Sequence, residues 1–229
     1  MRIHYLMHHP DEGLGSIQEW VTQENVTISV TKFYEDFYSL PQLEMFDALI
    51  IMGGPQSVYE EEQYPWLKIE KQFIVNCIDA GKKIIGICLG SQFLAELLGG
   101  RVYANAQKEI GWFDVTFTDY ARDTIFPGLH TTKVFHWHGD TFELPPQAML
   151  LASSEATKNQ AFIWKNQCLG LQFHFEVNEK AINGMNCAFD HELVKAQYVQ
   201  TDVEIKSQIH LVKQNNQQMH DLLSNFLKQ

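Results

Sequence analysis

The sequence predicts an α/β protein built on a doubly wound, mostly parallel sheet, with a partly antiparallel extension and C-terminal helices. Three observations predict it. Short apolar runs alternate with helical patterns through the first hundred residues. A Gly-Gly turn and a Gly-x-Cys-x-Gly turn each follow such a run, and beyond residue 100 the runs become shorter and more closely spaced. In doubly wound sheets ligands collect at the carboxyl ends of the strands, where both turns are expected to lie.

Taken in order, Ile3 to Met7, Thr27 to Thr31, Ala48 to Met52 and Lys83 to Ile87 read as strands. Helical patterns lie near Leu14 to Gln23, near Trp66 to Ala80 and from Gln92 to Leu98, the last stopped by Gly99-Gly100. Asp114 to Thr118, Lys133 to Trp137, Ala148 to Ala152, Ala161 to Trp164 and Leu169 to Phe173 form the expected antiparallel extension. Residues 178 to 229 read as helical. There Ile205, Ile209, Val212, Met219, Leu222, Leu223 and Phe226 fall near one side of a 3.6-residue period, as in a packed helix or a partner-binding face. No repeat, low-complexity segment or linker interrupts the chain, so one domain over 1–229 is expected, with a helical extension from about residue 178.

Composition narrows the function. At 229 residues and 45% hydrophobic content the chain can bury a sizeable core. A net charge of -11 and a pI near 5.3 disfavour nucleic acid and anionic membrane surfaces as partners. The first nine residues are too short and polar for a secretory signal, and no apolar stretch approaches transmembrane length, so a cytoplasmic protein is expected. Cys77, Cys88, Cys168 and Cys187 show neither CxxC spacing nor the density of a disulfide scaffold.

Cys88 stands apart from the other three. Gly86-Ile87-Cys88-Leu89-Gly90 follows the apolar Lys83-Ile84-Ile85 and leads into a helical pattern, which makes a nucleophile elbow. Its glycines allow a strained backbone and close strand–helix packing, and the helix N-terminus favours a thiolate. Eighty-six residues on, Gly170-Leu171-Gln172-Phe173-His174-Phe175-Glu176 ends another apolar run. Positions two apart in a strand share a face, so Glu176 can orient the His174 imidazole that activates the thiol. A cysteine α/β-hydrolase is disfavoured, because that fold places its acid before the histidine.

The elbow, the segment Gln172-Phe173-His174-x-Glu176-Val177 and the loop Gly53-Gly54-Pro55-Gln56-Ser57-Val58 resemble class I glutamine amidotransferases, most closely the glutaminase domain of GMP synthetases. The resemblance runs in the same order over about residues 1 to 180 and implies a flavodoxin-like sheet. One departure is Phe175, where the family pattern usually has proline; the change alters local rigidity and removes no catalytic group.

The resemblance implies roles residue by residue. Cys88, His174 and Glu176 are the triad; the backbone N–H groups of Gly54 and Leu89 are the oxyanion donors; Gln92 holds the amino-acid end of the substrate. Trp137-His138-Gly139-Asp140 resembles a His-Gly-Asp stretch whose backbone helps form the glutamine pocket, so His138, Gly139 and Asp140 are expected beside the substrate. The implied chemistry converts glutamine, or another γ-glutamyl compound, through a γ-glutamyl thioester to glutamate and, from glutamine, ammonia. No cofactor is implied. No metal is expected either, since His136 with His138, and His4 with His8 and His9, lack a companion cysteine or carboxylate in the sequence.

The family's synthetase continues into an ATP-using domain, for which this sequence has no Gly-x-x-x-x-Gly-Lys-Ser/Thr loop. Three alternatives follow: ammonia passes to a separate ammonia-accepting synthetase subunit; the chain is a free-standing γ-glutamyl peptide hydrolase; or it is a catalytically silent regulatory binding module. The silent module is disfavoured by the presence of every catalytic group.

Overall fold

Ala48-Leu49-Ile50-Ile51 is buried along its whole length, as are four of the five residues of Lys83–Ile87, because both runs lie inside a sheet covered on two faces. In the computed structural model, which describes residues 1–228, strands β1 (Arg2–Met7), β2 (Thr27–Lys32), β3 (Ala48–Ile51) and β4 (Lys83–Ile87) are parallel. Strands β5 (Val102–Phe117), β6 (Thr131–Phe142), β7 (Ala148–Ser153), β8 (Ala161–Trp164) and β9 (Cys168–Leu171) complete one nine-stranded sheet in the order β2-β1-β3-β4-β9-β8-β7-β5-β6. β9 runs parallel to β4, with Ile84 opposite Cys168, and the remaining pairings are antiparallel. The predicted doubly wound α/β sheet with an antiparallel extension is the observed one.

Strand alternation divides the core. Ile3, Ile50, Ile85 and Leu169 point to one face, where helix α1 (Ile17–Gln23) and helix α7 (Val212–Leu227) cover them. Leu6, Leu49, Ile51 and Ile84 point to the other, under α2 (Trp66–Asp79) and α3 (Leu89–Leu97). A third cluster joins Ile110, Trp112, Phe135 and Trp137 of β5 and β6 to α5 (Glu179–Ala188) and α6 (Asp202–Ser207); the short helix α4 (Asp119–Asp123) links β5 to β6.

Several elements differ from the sequence reading. β5 has 16 residues and β6 has 12, far beyond the apolar runs that marked them. Residues 103–108 are mostly exposed; cross-strand pairing holds Tyr103 and Ala104 where burial does not, and 105–108 form the bulge before pairing resumes at Glu109. β9 ends at Leu171, so His174 and Glu176 lie outside a regular strand; His174 makes a single bridge to Phe135. The C-terminal region is not one helix. Ile205 on α6 packs in the third cluster, whereas Met219, Leu222, Leu223 and Phe226 on α7 pack against α1 and the sheet. Between α5 and α6, the Ile110 N–H donates to the Tyr198 carbonyl and the Gln200 N–H to the Ile110 carbonyl, both at 2.9 Å, so this stretch acts as an extra edge on β5.

Candidate active site

β3, β4 and β9 are neighbours in the sheet, so their carboxyl ends bring together Gly53-Gly54, Cys88 and the segment leading to His174. Cys88 caps α3 with φ 51° and ψ -108°, a conformation that L-residues rarely adopt. Its neighbours explain how that strain is held. A Cβ at Gly86 would collide with the Gly90 backbone, and one at Gly90 with the Ile51 carbonyl, so the elbow closes only with glycine at both positions. The Cys88 N–H donates to the Leu171 carbonyl at 2.7 Å and fastens the elbow to β9.

His174 Nδ1 and Glu176 Oε1 are 2.7 Å apart, with both side chains buried. A carboxylate only accepts, so Nδ1 carries a hydrogen and Nε2 is left as the ring's basic atom. Nε2 has no hydrogen-bond partner among the described residues, yet the imidazole and the Cys88 sulfur interact strongly enough to shift each other's titration. Phe175 is fully buried between Phe173, Phe117 and Phe126, so packing supplies the rigidity that proline gives elsewhere. The Glu176 carbonyl accepts from the Ser16 N–H at 2.7 Å, close against Gly15.

A cavity of about 360 Å³ opens on Cys88, lined by Gly54, Leu89, Gln92, His138, Gly139 and Asp140 among others. Every residue expected beside the substrate thus borders one space. Neither the Gly54 nor the Leu89 N–H is taken by an acceptor among the described residues. Gln92 Nε2 donates to Gln172 Oε1 at 3.1 Å, and Gln172 Nε2 donates to Cys88 Sγ at 3.7 Å. Asp140 accepts from Ser57 and Tyr59, tying the Gly53-Gly54 loop to β6. A larger groove of about 920 Å³ runs between α1 and α7 and contains none of these groups.

Burial pushes the Cys88 thiol up; His174 pulls it down, and Glu12 and Glu176 push it up again. Burial opposes protonation of His174, but Glu176 and the contact with Cys88 raise its pKa well above the ordinary value. On balance the Cys88 thiol lies above its ordinary value, because burial and the two carboxylates outweigh the pull of His174, so the helix N-terminus does not leave the thiolate that the elbow alone predicts. The other buried thiols are inert by comparison: desolvation pushes Cys77 and Cys168 up to about 12.

Sequence reasoning missed Glu12, which borders the cavity and packs on Gly53. Burial raises its carboxyl to about 7, against the pull of His174 and His8. The signal available was Glu12-Gly13-Leu14-Gly15 in the turn that follows the first strand. Met185, Phe189 and Glu192 also line the cavity, brought there by the C-terminal region.

The structure corrects one reading of the histidines. Glu109 faces His138 across the β5–β6 ladder and lies with His136 and His138 in one buried group of possible ligands, a carboxylate companion invisible to sequence spacing. Its oxygens already accept from Ser154, Thr157 and Gln160, and His138 Nε2 lies at 3.2 Å. Burial opposes ionisation of Glu109, but His138, His136 and Thr157 hold its pKa at about 2, while burial lowers His136 to about 3. Glu109 is therefore saturated by hydroxyl and amide donors, whereas both ring nitrogens of His136 and Nε2 of His138 have no hydrogen-bond partner among the described residues.

A model of the family "Glutamine amidotransferase class-I" matches residues 14–193. The glutamine amidotransferase-like protein YfeJ of Salmonella typhimurium is 33% identical over 235 aligned positions, covering 99% of this chain and 96% of its own length. One subunit of a glutamine-hydrolysing GMP synthase from Sulfolobus acidocaldarius is 37% identical over 149 positions, covering 63% of this chain and 76% of its own. A crystal structure of a glutamine amidotransferase from Thermotoga maritima superimposes with a TM-score of 0.90 at 30% identity, covering 100% of this chain and 99% of that one. The chain belongs to the class I glutamine amidotransferases.

Proposed function

We propose that the protein hydrolyses γ-glutamyl amides, with glutamine the simplest substrate, through a Cys88-His174-Glu176 triad and a γ-glutamyl thioester. The observation that carries this reading is Cys88 at a strained helix N-cap, on the cavity wall, coupled to an imidazole whose far nitrogen is held 2.7 Å from a carboxylate. In the proposed sequence His174 Nε2 takes the thiol proton and Cys88 Sγ attacks the γ-carbonyl carbon. The resulting oxyanion accepts from the Gly54 and Leu89 N–H groups. His174 returns its proton to the departing ammonia, water then attacks the thioester with His174 as base, and glutamate leaves. Glu176 stays ionised throughout and orients the ring.

Gln92, held by Gln172, and the His138-Gly139-Asp140 wall are assigned to the α-amino and α-carboxylate ends of the substrate. One observation favours a second reading in which larger γ-glutamyl amides are cleaved: Trp137, Met185 and Phe189 give the cavity an apolar wall that ammonia does not need. A relative named as a synthase subunit supports transfer of ammonia to a separate synthetase chain. The four unpaired cysteines fit the reducing cytoplasm, and no helix among the described residues is long and apolar enough to cross a membrane.

The test is glutamate release from glutamine and from γ-glutamyl peptides, by the parent and by Cys88→Ala, alone and with a candidate synthetase. Release by the parent and none by the variant is the expected result. Equal release by both, or none by the parent under any condition, overturns the reading.

A further inference from the structure

His8, directly after β1, and Glu70, on α2, take no part in the chemistry above, yet both side chains are fully buried and paired at 2.8 Å. The other ring nitrogen, Nδ1, lies 2.9 Å from the Gly53 carbonyl oxygen. A carbonyl only accepts, so Nδ1 carries a hydrogen and donates it; Glu70 at Nε2 holds the ring in that state, neutral or charged. Burial by itself lowers the His8 pKa, but Glu70 and the Gly53 carbonyl raise it on balance. The ring stacks on Phe33 with an interplanar angle of 4° and on Trp66 with one of 19°, which limits its rotation.

The acceptor matters because the Gly53 carbonyl and the Gly54 N–H belong to one trans peptide unit, in which they point in opposite directions. A carbonyl pinned toward His8 turns the Gly54 N–H away from the His8–Glu70 pair. Gly54 borders the Cys88 cavity, and a Cβ there would meet His8 Cβ at 2.7 Å and Leu89 Cδ2 at 3.0 Å. It is therefore wedged between His8 and the residue assigned the other donor. Donation to the carbonyl also polarises the peptide and strengthens its N–H.

We propose that the buried His8–Glu70 pair is a positioning device for the oxyanion hole, fixing the direction of the 53–54 peptide and strengthening the Gly54 N–H toward developing negative charge. This rests on the assignment of Gly54 as an oxyanion donor. His8 touches neither substrate nor reacting atoms and acts through the peptide, beside its pull on the Glu12 carboxyl.

The test uses His8→Phe/Glu70→Leu, which removes both polar partners together, and His8→Asn, whose side-chain N–H can replace Nδ1–H. Loss of a whole oxyanion donor lowers kcat about 100- to 1000-fold, so a misaimed one is expected to lower it about 10- to 100-fold, with KM within about twofold. His8→Asn is expected to recover part of that loss. Alkylation of Cys88 by iodoacetamide, a displacement that forms no oxyanion, is expected to keep the parent rate. In glycine-¹⁵N-labelled protein the Gly54 amide resonance should move in the double variant and return toward its parent position in His8→Asn. If the double variant does not fold, His8→Phe with Glu70→Gln, which removes the Nδ1 donor and leaves a neutral polar group at position 70, carries the same measurements.

A folded variant with parent kcat, an equal loss of turnover and alkylation, or an unmoved Gly54 resonance overturns the proposal. If the parent cleaves no γ-glutamyl amide, the functional reading fails separately. The Gly54 resonance then decides the positioning claim alone: movement upholds it and constancy overturns it.

Discussion

The side-chain amide of Asn216 on α7 donates to the Phe175 carbonyl at 3.0 Å, and also to the Val177 carbonyl at 2.8 Å. The C-terminal helix thereby grips the backbone on both sides of Glu176, at the place where β9 has already ended. Two carbonyls outside any ladder are satisfied by one residue. Removing it is expected to loosen the carboxylate proposed to orient His174.

Asn216→Ala is expected to cost about 1–3 kcal/mol of stability, since it leaves two partly buried carbonyls short of a donor. Turnover should fall more than KM rises, because an orienting defect acts on proton transfer and not on substrate contacts. Urea unfolding beside steady-state kinetics checks both. A variant with parent stability and parent kcat contradicts the proposed grip.

Cys88 is expected to be the one essential thiol. Cys77 and Cys168 are buried with their thiols pushed up to about 12, and Cys187 is exposed and outside the cavity. A glutamine-like electrophile should modify Cys88 alone near neutral pH, as read by peptide mapping. Modification of Cys77 or Cys168 in folded protein, with Cys88 spared, removes the basis of the mechanism.

His174→Ala is expected to lower acylation about a thousandfold or more, and Glu176→Gln roughly a hundredfold, because the proton acceptor matters more than its orienting group. The double variant should resemble His174→Ala, since the two side chains act as one unit. Single-turnover acylation measures each step. Additive losses, summing in free energy, mean that Glu176 does not act through His174.

Glu12 gives a stability prediction with a definite sign. Burial raises its carboxyl from 4.5 to about 7, so the folded state holds a proton that the unfolded state releases between those values. Its contribution is complete below about pH 4.5 and is lost as pH rises through about 7, an effect of up to roughly 3 kcal/mol. Glu12→Gln should therefore be more stable than the parent at pH 8 and gain little at pH 4.5, by urea midpoints. A gain that is the same at both pH values contradicts the assignment.

The sequence by itself determined the features written in contiguous residues. Lys83-Ile84-Ile85 running into Gly86-Ile87-Cys88-Leu89-Gly90 specifies a strand, a turn that only glycine permits and a helix start. The spacing of His174 and Glu176 already allowed their contact, although the segment proved not to be a strand. Alternation of apolar runs and helical patterns gave the parallel half of the sheet, because burial on both faces demands it locally.

Tertiary structure alone decided which segments meet. β9 lies beside β4 through pairing between residues more than eighty positions apart, and that placement brings His174 to Cys88. His8 with Glu70, Glu109 with His138, and Asn216 with Phe175 leave no periodic trace in the sequence. The length of β5 was hidden for a related reason: Tyr103 and Ala104, in its exposed half, are held by a partner strand across a bulge and not by apolar burial. Pairing, desolvation and through-space charge depend on distance in the folded molecule, so the raised carboxyl of Glu12 and the coupled titration of Cys88 and His174 exist only once the chain has closed around them.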